Sequence, residues 1–133
     1  MEFLYPSYDV TMKTHERIME ESGGRQGMVS PSNLAYILDA VLEVGEKMYG
    51  RDAACAKAAY LLYNIINAHP FLDGNKRTAF EVARNFLRLN GWEVRVEEEE
   101  TFETLISIAR GDLPVQKIQE WIARNLRSLK EDK

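Results

Sequence analysis

Residues 69–77 read His-Pro-Phe-Leu-Asp-Gly-Asn-Lys-Arg and gather an imidazole, a carboxylate, an amide and two cations around a proline and a glycine. Asn75, Lys76 and Arg77 stand where a helix is expected to open. A helix's first turn carries unpaired N–H groups and about +0.5 of an elementary charge from its aligned peptides. Such a terminus seats anions, and Gly74 allows close approach to the backbone. Asn75 can add donors, Arg77 can grip a phosphate through two bonds, and Lys76 adds a point charge. Asp73 precedes this cradle. A lone carboxylate suits Mg²⁺, which keeps several waters and takes one or two carboxylates together with substrate phosphates. His69, held by Pro70, can accept a proton from a hydroxyl near neutral pH. A base, a metal carboxylate and an anion cradle together describe a site for hydroxyl-to-phosphorus transfer.

Taken singly, each residue has a structural reading. His69 could cap the preceding helix, and Asp73-Gly74-Asn75 could be an ordinary turn followed by an N-cap. Arg77 could pair with Glu81 at i, i+4, worth only ~0.3–0.5 kcal/mol, and Lys76 could be solvated surface. Their coincidence in one short window favours function. Phe71 is expected to point inward as the loop's apolar anchor.

The surrounding pattern is helical. Ser7 to Ser22 forms a first helix stopped by Gly23-Gly24, and a glycine-rich loop follows to Val29. Ser30-Pro31-Ser32 starts a second helix, whose face runs through Leu34, Ile37, Leu38, Val41, Leu42 and Gly45 to an end near Gly50. Asp52 is the expected N-cap of a third helix reaching about Ala68, apolar almost all round and therefore central. A fourth helix opens at Gly74 or Asn75 and stops at Gly91. Trp92 to Val96 alternates like a short strand with no sheet to join. Thr101 to Ala109 and Val115 to Leu129 read as two more helices. Glu97 to Glu100 suits a solvated turn or a first helical turn. The sum is an all-α fold, a compact bundle of about six helices, read as one domain over residues 1–133.

Composition narrows the classes. The chain has 133 residues, a net charge of −4 and one cysteine, Cys55. The acidic balance weighs against a general nucleic-acid binder. A single cysteine excludes an intrachain disulfide, and a buried thiol fits a reducing cytoplasm. No apolar stretch approaches the ~20 residues of a membrane span, and no signal peptide is recognisable.

The window "HPFLDGNKR" resembles the Fic/Doc family motif, His-x-Phe-x-Asp/Glu-Gly/Ala-Asn-Gly/Lys-Arg. "HERIMEESGG" at 15–24, "AAYLLYNIINAHPF" before the motif, "FLRLNGWEV" after it and "GDLPVQKIQEWI" near the end resemble the Doc (death-on-curing) branch. The resemblance implies an all-α enzyme that uses ATP with Mg²⁺ to modify a protein hydroxyl. It assigns His69 as general base, Asp73 to the metal, and Gly74, Asn75, Lys76 and Arg77 to the phosphates, with Arg77 also stabilising the transferred group. Doc-branch toxins phosphorylate a threonine of elongation factor Tu and are neutralised by a Phd-like antitoxin.

Two departures from the adenylyl-transferring members point the same way. Lys76 stands where those enzymes typically carry glycine, and Phe80 where they carry a second arginine. A lysine there would fill part of the α- and β-phosphate cradle and turn the triphosphate to offer its γ-phosphate. Gly74 leans the other way, since Doc proteins often have alanine. The family's autoinhibitory Ser/Thr-x-x-x-Glu-Gly/Asn pattern is absent from the sequence. Phosphoryl transfer is thus the leading expectation, with AMP transfer and a non-catalytic partner-binding module as alternatives. A ribonuclease fits poorly, given the acidic balance and no second histidine in the window. His15 is expected to be a core or helix-capping histidine.

Overall fold

The structure, a computed structural model, describes residues 2–132. Its six α-helices are α1 (Tyr8–Ser22), α2 (Pro31–Ala40), α3 (Gly50–Ala68), α4 (Asn75–Leu89), α5 (Glu98–Ala109) and α6 (Val115–Arg124). Two strands, β1 (Trp92–Val94) and β2 (Leu126–Ser128), pair antiparallel with Val94 opposite Leu126. The fold is all-α, as the periodicity implied.

Local chemistry sets the helix ends. The Ser7 hydroxyl accepts from the Val10 N–H at 3.1 Å, and Gly23, at φ 75°, closes α1 with its N–H on the Met19 carbonyl. Pro31 opens α2 at a position where a missing N–H costs nothing. The nearly all-apolar α3 lies against α2, α4, α5 and α6. Its inner residues, among them Ala54, Ala58, Leu61 and Ile65, are fully buried.

Several boundaries differ from expectation. α2 stops at Ala40 instead of continuing to Gly50; a 3-10 turn, Val41–Glu43, follows, and Gly45 takes a left-handed φ of 69°. The cause lies in α3. The buried Lys57 ammonium donates to the carbonyls of Val41 and Leu42 at 3.2 and 3.1 Å, taking groups that a continuing helix would bond itself. At the start of α3, Tyr49 is the N-cap and Asp52 lies in the first turn, so Asp52 complements the helix dipole without capping it. The last helix ends at Arg124 because the next residues join β1; the strand expected to lack a sheet finds its partner in residues assigned to a helix. The Arg51 guanidinium holds that exit through the Ala123 carbonyl at 2.6 Å. Glu98–Glu100 form the first turn of α5, and Glu100 accepts from the Trp121 indole N–H at 2.8 Å.

The N-terminal segment packs over the α3–α4 seam. Phe3 and Tyr5 stack toward Phe86 at 5.9 and 5.7 Å, and the Lys57 ammonium lies 5.3 Å from both of their ring centres. Phe86 is fully buried. Phe86→Ala should therefore cost about 3–5 kcal/mol and lower the thermal midpoint by on the order of 10 °C, readable by calorimetry. A loss below about 1 kcal/mol would mean this seam is not packed as described.

Candidate functional site

α3 ends in an unusual way. His69 adopts φ 51°, ψ 54°, the only non-glycine among the described residues with positive φ, and its N–H caps the Ile65 carbonyl at 3.2 Å. Residues in this region are uncommon and cluster at functional sites. The turn throws the His69 imidazole outward, and the side chain is exposed. The chain then runs back inward, so Pro70 and Phe71 are buried.

The loop after α1 is paired with this segment. Val29 and Ser30 donate to the Pro70 carbonyl at 2.8 and 3.0 Å, and Leu72 donates to the Gly27 carbonyl at 3.0 Å. Met28 and Phe71 thus form an antiparallel bridge. The Phe71 side chain is the apolar anchor expected from the sequence, fully buried.

Asn75 is buried, and its amide is already engaged. Oδ1 accepts from the Phe71 N–H and Nδ2 donates to the Phe71 carbonyl, both at 2.9 Å. The sequence reading made the Asn75 side chain a direct phosphate donor; here its Oδ1 and one Nδ2–H shape the loop, which leaves the second Nδ2–H and the backbone N–H at the start of α4.

Asp73 is exposed and accepts two backbone N–H groups: Arg25 on Oδ2 at 3.1 Å and Gly74 on Oδ1 at 2.9 Å. The Arg25 N–H, then the Gly74 N–H, hold its carboxyl below the usual carboxylate range against a small desolvation effect; the Arg25 guanidinium and His15 add to the lowering. Each oxygen keeps a further lone pair for a cation. No cluster of three or more His, Cys, Asp or Glu capable of holding a metal occurs among the described residues. A metal here would be bound by this one carboxylate and its substrate's phosphates, which is the arrangement Mg²⁺ accepts and a transition-metal cage is not.

Gly74 is the N-cap of α4 at φ 75°. A Cβ on it would collide with the Met19 methyl and lie 3.1 Å from its sulfur. The left-handed φ thus favours glycine here independently of any ligand, and a larger residue would also have to displace the flexible end of Met19. Lys76 and Arg77 are exposed. Arg77 does not pair with Glu81; its guanidinium is 3.8 Å from Glu21 on α1, while Glu81 pairs with Arg84 at 3.2 Å and Arg17 at 3.8 Å. Exposed pairs of this kind are worth little and yield readily to a better anion.

His69 and residues 73–77 all line one cleft of about 970 Å³. β1, the link after it and α5 also line the cleft, through Val94, Val96 and Phe102, as do Phe80 and Arg84 of α4. Sequence reasoning missed this β1–α5 lining and missed Arg84. The available signal for Arg84 was its spacing, two helical turns beyond Arg77 and so on the same side of α4. The β1–α5 lining carried no such signal, since it depends on tertiary packing.

The protein-family model of the Fic/DOC family matches residues 5–87, more than half of the chain, and the chain belongs to this family. It is a Fic-type transferase in the general sense: family members transfer nucleotide-derived groups to proteins, with ATP as substrate and generally with Mg²⁺. No curated protein sequence matches the chain. Among the described residues no helix is long and apolar enough to cross a membrane.

The lowered Asp73 carboxyl fixes a sign. Its ionised form is favoured in the folded state, so its contribution is fully present above the unfolded value of about 3.9 and fades as pH falls toward the folded value. The gap in thermal midpoint between wild type and Asp73→Asn should be constant from neutral pH to about 5 and close below about pH 4. A gap that widened on acidification would contradict the two backbone donors.

Proposed function

We propose that this protein is a Doc-like toxin of a toxin–antitoxin pair, a phosphotransferase that moves the γ-phosphoryl group of ATP to a Thr or Ser hydroxyl of an elongation-factor-Tu-like translation factor. One observation carries the reading: the exposed His69 imidazole, the Asp73 carboxylate and the open N-terminus of α4 line the same cleft. Its volume of about 970 Å³ is ample for a nucleotide and part of a target segment.

The chain's own groups divide the work. The first N–H groups of α4 and the Arg77 guanidinium bind phosphate oxygens, Arg77 exchanging its weak contact with Glu21 for the anion. Lys76 adds positive charge beside them. Mg²⁺, held by Asp73, would neutralise phosphate charge that these cations leave. The apolar wall of Phe80, Val94, Val96 and Phe102 offers the nucleoside a dry surface. His69 takes the proton of the target hydroxyl as its oxygen bonds to the γ-phosphorus; the bridging P–O bond breaks and ADP leaves with that electron pair. The α4 terminus and Arg77 stabilise the charge on the transferred group.

Lys76 and Phe80 support γ-phosphoryl over AMP transfer, as argued from the sequence. Gly74, the feature that points the other way, weighs less than these two, because its φ of 75° by itself favours glycine. Restraint of the toxin by a Phd-like antitoxin and a cytoplasmic setting belong to the same proposal, with no role for nucleic acid or membrane.

His69→Ala should slow transfer by about 10²–10⁴-fold while ATP binding stays within about twofold. Normal transfer by that variant would remove the base from the scheme. ATP labelled at the γ-phosphate should pass its label to elongation factor Tu, and ATP labelled at the α-phosphate should not; the reverse result would make the protein an adenylyltransferase. Lys76→Gly should raise the share of α-label transferred.

A further inference from the structure

His15 has no part in the chemistry above, yet its surroundings are too specific for a filler of the core. It lies in the middle of α1, where it can cap no helix end, and is 2 % exposed. Its Nε2 is 2.8 Å from the backbone carbonyl of Asp73, a residue 58 positions away. A carbonyl only accepts, so Nε2 carries the proton. The ring also stacks on Phe71, with centres 3.8 Å apart and planes within 7°.

The Asp73 carbonyl and the Gly74 N–H belong to one rigid peptide plane. Its carbonyl end is held by His15, and its N–H end by Asp73's own Oδ1 at 2.9 Å. Releasing the carbonyl lets the plane turn, which carries the N–H away from Oδ1 and frees the carboxylate to rotate. Packing closes the remaining side. Met19, one turn further along α1, packs its thioether against both Gly74 and Gly24, and a Cβ at Gly24 would also lie 2.9 Å from Asp73 Oδ2. The same helix leads to Arg25, the second donor to the carboxylate.

We propose that His15 is a positioning residue for the Asp73 carboxylate: its Nε2–H fixes the 73–74 peptide and so sets where that carboxylate meets a divalent cation. The inference rests on the reading of Asp73 as the metal residue. Outer hydrogen bonds of this kind typically govern metal affinity by 10–100-fold.

Two variants without a donor, His15→Phe, which keeps a ring against Phe71, and His15→Leu, should weaken Mn²⁺ binding to the ATP-loaded protein about 10-fold. Their affinity for ATP without metal should stay within about twofold of wild type. His15→Gln, which keeps an N–H donor, should recover most of the Mn²⁺ affinity. In the ligand-free protein, the Gly74 and Arg25 amide resonances should move in the donor-less variants and return toward their wild-type positions in His15→Gln. Folded donor-less variants with unchanged Mn²⁺ affinity and unmoved amides would overturn the proposal, as would a His15→Gln loss as large as theirs. If only His15→Gln folds, its Mn²⁺ affinity decides alone, a 10-fold loss counting against the donor role. Wild-type protein that binds no Mn²⁺·ATP would instead sink the proposed function, while the amide resonances would still report whether His15 holds the peptide.

Discussion

The paired hydrogen bonds between the Asn75 amide and the two backbone groups of Phe71 hold the site's shape. They act inside the bundle, where an unpaired backbone group costs about 1–3 kcal/mol, so the loop has little freedom to open at this point. Because Phe71 is fixed, Pro70 and Leu72 present their backbones outward to the 25–30 loop, and that loop returns an N–H to Asp73. With the Asn75 side chain turned inward, the N-cap Gly74 has no side chain to cap the first turn of α4.

A second constraint comes from α1. Its buried face is partly polar, with Thr11, Thr14 and His15 among the hidden residues. A bundle made only for stability would place apolar groups there. From this face His15 and Met19 touch the turn that carries the carboxylate and the first peptide of the anion cradle. Stability and function share these contacts: the groups that make the turn a fixed object are buried, and those aimed at the cleft, His69, Lys76 and Arg77, are exposed and joined to the fold by little more than weak ion pairs.

The arrangement also separates the residue types that a motif lists together. Within one run of nine residues, Phe71 and Asn75 serve the interior, Gly74 serves a left-handed turn crowded by Met19, and His69 reaches the surface through a strained φ. Asp73 does both, bonding backbone on one side of each oxygen and leaving the other to solvent.

Much of this was legible in the sequence. The 3.6-residue apolar period, Ser7, Pro31 and the stopping glycines gave the helices, and the all-apolar α3 gave the centre, because local propensity and burial agree there. The cluster at 69–77 announced its chemistry through side-chain types alone. What the sequence could not decide depended on partners far along the chain. The early end of α2 needed Lys57, the β1–β2 pair needed two segments over thirty positions apart, and the roles of Asn75, Gly74 and His15 followed from Phe71, Met19 and the Asp73 carbonyl. Hydrogen-bond partners and steric neighbours across the bundle leave no periodic trace, so only the packed chain could assign them.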